Sequence, residues 1–244
     1  MMSLLAIAFT GGLMGFLAGF LGTGGGTLAI PALVLFFGYD QKLAQGTVLV
    51  MVILNVCLGF LKYRELSGED RGLTWVLAAS ASVSTCLGSY FLGRVSSQTL
   101  QVCYGAFLLA LIVPLYLAKR GYRLAEPLRA VYAIVPGALG GASLGLFGVG
   151  GAMLAVPCLT TCFGLRQVRA QGAALAVAVP GCLISFLPYL QQGQVDWPVA
   201  LVLAGCSVPL VPLGVRVAHR ISERSLVSVF GALIAVSGLA LILR

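Results

Sequence analysis

The first half of this chain is written a second time in its second half, at a constant offset of 126 residues. Gly11, Gly15, Gly19, Gly22, Gly24 and Gly25 recur as Gly137, Gly141, Gly145, Gly148, Gly150 and Gly151. Pro31 recurs as Pro157, Gly38 as Gly164, and Ala44-Gln45-Gly46 as Ala170-Gln171-Gly172. Arg94 and Gly105 reappear as Arg220 and Gly231. Both copies are lipid-grade apolar. Two copies of one hydrophobic unit imply a pseudo-two-fold axis, with any site placed where the copies meet.

The composition sets the solvent. The chain is 59% hydrophobic and 9% charged, with a mean hydropathy of +1.03. A soluble domain needs far more charge to cover its surface. Apolar runs long enough to cross a bilayer occur repeatedly. The expectation is an all-α polytopic membrane protein with no folded soluble domain. The net charge of +8 is spread over short loops without a dense basic run. It reads as loops facing an anionic leaflet, not as a nucleic-acid surface. Residues 1–21 lack Lys and Arg, and the second copy uses the equivalent stretch in mid-chain. They read as a retained membrane segment and not as a signal peptide. The seven cysteines have neither a disulfide nor a zinc spacing, and His219 is the single histidine. They read as small buried hydrophobes, and neither metal nor cofactor is expected.

Each repeat resolves into five helical segments. In the first they cover about 4–21, 27–37, 44–61, 73–92 and 100–118; in the second about 130–147, 153–163, 170–190, 198–217 and 226–243. The domains are repeat one over 1–118, a polar linker over 119–129 and repeat two over 130–244. The second segment of each repeat is too short to span: 11 residues reach roughly 16 Å, against a hydrocarbon core of about 30 Å. With its predecessor it must form a re-entrant or glycine-broken pair near the midplane.

Charge counting then fixes the sense of the repeats. If each pair made one crossing, the 15 Lys and Arg would divide almost evenly. If each pair returns to its own side, twelve fall on one side and only Lys42, Arg94 and Arg244 on the other. That split is a positive-inside signal. It predicts inverted repeats, both termini outside the cytoplasm, and the linker inside. The expected location is a bacterial inner (plasma) membrane.

No acidic or basic residue falls in the middle of a predicted segment. This argues against a carboxylate relay, a buried cation site and an intramembrane hydrolase, so no enzyme is expected. The midplane must act through backbone. Gly22-Thr23-Gly24-Gly25-Gly26-Thr27 and Gly148-Val149-Gly150-Gly151-Ala152-Met153 precede the short helices, and Pro31 and Pro157 read as early-turn prolines. Exposed N–H groups and the positive dipole end would face the break, forming an anion site without a charged side chain.

The ridges Gly11-Gly15-Gly19 and Gly137-Gly141-Gly145 read as close helix packing. The breaks Gly22, Gly24, Gly25, Gly148, Gly150 and Gly151 read as functional backbone or as a purely structural turn. Gln45, Gly46, Gln171 and Gly172 line the site or begin helices at the interface. Thr47 has only Ala173 as its counterpart. Asn55 is the sole asparagine, and is either an interhelical hydrogen bond or a substrate contact. Gly22, Thr23, Gly24, Gly25, Gly26, Thr27, Gln45, Gly46, Thr47, Asn55, Gly148, Gly150, Gly151, Gln171 and Gly172 form the candidate substrate-binding set.

At residues 19–31 and 145–157, each followed by Ala-Gln-Gly, the chain resembles the TauE/SafE family, the sulfite exporter or 4-toluenesulfonate uptake permease family. The resemblance covers the whole chain, including its duplication. The second copy departs at Ala152, where the first has Gly26, and at Ala173, where it has Thr47. The resemblance implies transport of small sulfur-containing anions such as sulfite, sulfonates or sulfoacetate. A secondary carrier, an anion channel of the same architecture and a non-transport scaffold are the competing readings. The expected partners are a small anion and the lipid bilayer, with a homo-oligomer left open.

Overall fold

The structure, a computed structural model, describes residues 4–21, 24–64, 71–120, 128–165, 167–218 and 223–243. Its regular elements are helical. Repeat one contributes α1 (Leu4–Leu21), α2 (Gly26–Phe37), α3 (Gln41–Arg64), α4 (Arg71–Leu92), α5 (Ser97–Ala110) and α6 (Ile112–Lys119). Repeat two contributes a 3₁₀ turn (Ala130–Ala133), α7 (Ile134–Phe147), α8 (Gly151–Thr161) and α9 (Gln167–Gln191). It continues through α10 (Trp197–Ser207), a 3₁₀ turn (Val208–Leu210), α11 (Val211–Ala218) and α12 (Glu223–Leu243). Among the described residues, six helical stretches are long and apolar enough to cross a membrane. Leu5, Phe9, Phe36, Trp75, Leu201 and Val236 are exposed on the outside of the bundle, where a soluble fold would place polar groups.

The element bounds follow the duplication closely. The helices α1, α3 and α4 recur, 126 residues later, as the 3₁₀ turn with α7, as α9, and as α10 with α11. Differences between copies have local causes. Where α4 is continuous, its counterpart is interrupted at Val208–Leu210, beside Pro209 and Pro212. The segment expected as one helix over 100–118 divides at Leu111, three residues before Pro114. Proline removes a helical donor and its ring crowds the carbonyl four residues back. The cysteines depart from the buried-hydrophobe expectation. Only Cys182 is buried, while Cys86 and Cys103 are exposed on the apolar outer surface.

Packing between the copies is reciprocal. A β-carbon added at Gly11 would stand 2.8 Å from the Leu203 carbonyl oxygen; one at Gly137 would stand 2.8 Å from that of Leu77. Gly15 meets Ser207 and Gly141 meets Ala81; Gly19 meets Val211 and Gly145 meets Thr85. Leu77, Ala81 and Thr85 precede Leu203, Ser207 and Val211 by the same 126 positions. Exchange of partners between copies is the mark of a two-fold relation. The glycine ridges therefore pack helices, as their spacing indicates. Contact positions increase together along both chains, so α1 runs parallel to α10–α11, and α7 parallel to α4.

The helix directions follow. Ser97 at the start of α5 donates to Asp40 (Oγ to Oδ2, 2.6 Å), placing the start of α3 and the end of α4 at one end of the bundle. Tyr39 donates to Asp196, the N-cap of α10, at 2.7 Å, bringing the end of α2 to that same end. Because α1 runs parallel to α10, it starts there too and α2 brings the chain back. At the opposite end, Leu128 N–H donates to the Cys162 carbonyl at 3.0 Å, closing the α7–α8 pair where it began. Finally, Gln101 donates to the Leu241 carbonyl at 2.9 Å, so α12 ends at the Asp40 end.

Candidate functional site

The two broken pairs bring the N-termini of α2 and α8 together inside the bundle. Thr27 Oγ1 donates to Met153 Sδ at 2.9 Å, and these residues are separated by the repeat offset itself. Equivalent positions touch only near the pseudo-two-fold axis, so the axis passes between the first turns of the short helices. Gly24 and Gly150 occupy equivalent places with φ of 78° and 95°. An L side chain is strained in that left-handed region, and the backbone reverses there to start each short helix.

The first break is lined by neutral groups. Asn55 on α3 donates to the Gly24 carbonyl at 3.3 Å. Its side chain exchanges hydrogen bonds with Ser207, Nδ2 to Oγ at 2.7 Å and Oγ to Oδ1 at 2.9 Å. A small pocket among α1, α3, α9 and α11 is bordered by Gly24, Asn55, Gly59 and Leu175. At the second break, Phe107 covers Gly150, and Leu49 stands against Gly148. Phe107 belongs to an aromatic group with Tyr104 and Phe147. Every buried polar side chain among the described residues is neutral: Thr, Gln, Asn or Ser.

Pro31 and Pro157 lie deeper in their helices than an early-turn proline. Pro31 is the sixth residue of α2 and Pro157 the seventh of α8. Each therefore does remove an internal donor. The group deprived by Pro31 is the Thr27 carbonyl, four residues back, and Tyr104 OH donates to that oxygen at 3.1 Å. The counterpart of Tyr104 is Phe230, which has no hydroxyl, so the two copies differ at this point. Tyr104→Phe should lower stability by about 1–3 kcal/mol, the cost of leaving a buried carbonyl unpaired. In a Pro31→Ala background, which restores the N–H, the same change should cost little. Detergent melting of the four proteins in that cycle reads the coupling; equal losses in both backgrounds would refute it.

The remaining expected residues divide. Gly22 and Thr23 lie outside the described residues. Gly24, Gly25, Gly26, Thr27 and Asn55 gather at the first break, and Gly148, Gly150 and Gly151 at the second. Gln45 sits nearer the Asp40 end, buried, with Tyr189 OH 2.7 Å from its Oε1. Gly46 and Thr47 have packing partners at that end: the Gln194 carbonyl lies against Gly46, and Thr47 Oγ1 accepts from Asp196 N–H at 3.0 Å. Nearby, burial raises the pKa of Tyr39, aided by the Asp196 carboxylate, so its phenol stays a donor. Gln171 and Gly172 are buried on α9, one turn before Leu175. Each copy's glutamine thus lies one turn from a leucine beside the other copy's break: Leu49 meets Gly148, and Leu175 shares a pocket with Gly24.

Tyr104, Ser207 and Phe107 were not legible as site residues. Their counterparts are Phe230, Ala81 and Leu233, so the duplication gives no signal for them. Gln41 could have been found, because it recurs as Gln167 in Gln-x-x-Ala-Gln-Gly.

Comparison with known proteins agrees with this architecture. A "probable membrane transporter protein" of Xylella fastidiosa is 29% identical, over 99% of this chain and 96% of its own length. Another of that description, from Methanocaldococcus jannaschii, is 27% identical over 97% and 94%. A third, from Bacillus subtilis, is 23% identical over 99% and 98%. Residues 7–241 match the family described as "Sulfite exporter TauE/SafE". With its apolar spanning helices and glycine-broken pairs, this chain is an integral, multi-pass membrane protein and belongs to the TauE/SafE sulfite exporter family of transporters.

Proposed function

We propose that the protein is a secondary carrier of small sulfur oxyanions, such as sulfite or an organosulfonate, and not an enzyme. The anion is held by backbone N–H groups at the N-termini of α2 and α8. The observation that carries this reading is the Thr27–Met153 contact, where two equivalent helix N-termini meet in a neutral interior. Two positive dipole ends, whose first-turn N–H groups have no intrahelical partner, favour an anion, and nothing there competes for it with fixed charge. The name of the matched family points to the same substrate class.

In this reading the repeats are inverted across a bacterial inner membrane, and the carrier alternates access around the pseudo-two-fold axis. Support comes from the hairpins α1–α2 and α7–α8, each of which returns to its own end of the bundle. Lys42 and Arg94 lie at the Asp40 end, whereas Lys119, Arg120, Arg129, Arg169 and Arg216 lie towards the other. This charge bias supports an Asp40 end facing away from the cytoplasm. A reporter fused after Arg244 should be active only if it folds in the periplasm, and one in the 121–127 linker only in the cytoplasm. The reverse pattern would overturn the topology.

Proteoliposomes test the transport itself. Sulfite, thiosulfate and sulfonates should show saturable flux that accelerates when the opposite side is loaded with the same anion. Cation flux, or no oxyanion flux at all, would overturn the proposal; unsaturable flux would replace the carrier with a channel.

A further inference from the structure

The polar groups at the Asp40 end pair with one another and leave one residue out. Asp40 accepts from Ser97 and from the Lys42 N–H; Tyr39 serves Asp196; Asp196 N–H serves Thr47. Gln41, only 1% exposed, has no partner for either amide atom. One turn on, Gln45 is 0% exposed, and its Nε2 has no partner. The Tyr189 hydroxyl has a single hydrogen, with Gln45 Oε1 at 2.7 Å and the Leu146 carbonyl at 3.1 Å as alternative acceptors. Whichever it serves, and whichever way the amide is turned, one atom of the Gln45 amide remains over.

Leaving several buried amide groups unmade is costly, and leucine or methionine would fill the same space without that cost. Their placement suggests why they persist. At about 100° per residue, Gln41, Gln45, Leu49, Val52 and Val56 lie within an arc of roughly 80° on one face of α3. That face leads to both glycine breaks. A β-carbon at Gly148 would stand 2.7 Å from Leu49, and one at Gly24 would stand 2.9 Å from Val56. The outer end of this stripe is therefore two adjacent amides, and its inner end is the candidate site. The arrangement has a sequence equivalent in repeat two. Gln167-x-x-Ala170-Gln171-Gly172 opens α9, which starts from the opposite end of the bundle and carries Leu175 beside Gly24 and Asn55.

We infer that Gln41 and Gln45 form an entry subsite for the oxyanion on its way from the Asp40 face to the breaks. This inference rests on the anion-carrier reading above and adds to it one peripheral station outside the central site. Neutral amide donors can replace part of the hydration shell of a small anion without trapping it as a buried cation would. The i, i+4 spacing offers both amides to one ligand with several oxygens.

The test uses the full chain in uniformly oriented proteoliposomes, with sulfite added to one face at a time. Gln41→Met keeps the volume and removes the amide; Gln41→Glu keeps the shape and can bring negative charge. For sulfite at the Asp40 face, Gln41→Met should raise the KM about 10-fold or more, in line with loss of a hydrogen bond to a charged group. The KM at the opposite face should change less than about twofold, and the melting temperature should hold or rise. Gln41→Glu should have a larger effect with the same sidedness, and it reads the site alone if the methionine variant does not fold.

An unchanged KM at both faces, with a raised melting temperature, would reduce Gln41 to an unpaired or water-filled burial and sink the inference while the carrier stands. An equal rise at both faces would also sink it, by placing Gln41 in the central site. Absence of sulfite and sulfonate flux in the unaltered protein would remove the carrier reading and the subsite together.

Discussion

Gly150→Leu should abolish transport while the protein still inserts and remains folded in detergent, and Gly24→Leu should do the same. Both positions have positive φ, 95° and 78°, where a non-glycine residue costs about 1–2 kcal/mol. Space is the larger obstacle. The β-carbon alone would lie 2.7 Å from the Phe107 ring at Gly150, and 2.9 Å from Val56 at Gly24. The neighbours are side chains, which can yield, so the fold should survive. A leucine there would nonetheless fill the space in front of the α8 or α2 N-terminus, where the proposed anion sits. Sulfite flux in proteoliposomes, with size-exclusion profiles of the same samples, separates the two effects. Full flux in a folded Gly150→Leu protein would move the site away from the breaks.

Gly15→Leu and Gly141→Leu should prevent accumulation of folded protein, and even Gly15→Ala and Gly141→Ala should lower the melting temperature substantially. The obstacle here is backbone. A β-carbon at Gly15 would stand 2.5 Å from the Ser207 Cα, and one at Gly141 would stand 2.7 Å from the Ala81 Cα. Whole helices must separate to admit it, at about 1–3 kcal/mol or more for the first methyl group. Gly205 on the outer surface of α10 is the control, because a β-carbon there meets nothing within 4 Å. Gly205→Ala should be neutral or stabilising, by up to about 1 kcal/mol, since glycine is a poor helix residue. Equal melting shifts at Gly15 and Gly205 would refute the contact account.

The helical class, the duplication, the short second segment of each copy and the packing role of the glycine ridges were already legible in the chain. These features are periodic or compositional. Apolar length reports membrane solvent, and glycine every fourth residue reports a helix face that another backbone can approach. The glycine runs likewise marked the backbone reversals at Gly24 and Gly150, and the lone asparagine marked a buried amide at Asn55.

Packing alone settled which helices stand beside each break. Leu49, one turn after Gln45, meets the break of repeat two, and Leu175, one turn after Gln171, shares a pocket with Gly24 of repeat one, an exchange produced by packing α3 against α9. It placed Tyr104 on the carbonyl that Pro31 leaves free, a partnership between α5 and α2 across 77 positions of the chain. It also set Gly46 and Thr47 against the α9–α10 turn. Such pairings depend on distances between helices remote in sequence. A chain pattern records which face of a helix is buried, but the residue that meets it is fixed only when the helices pack.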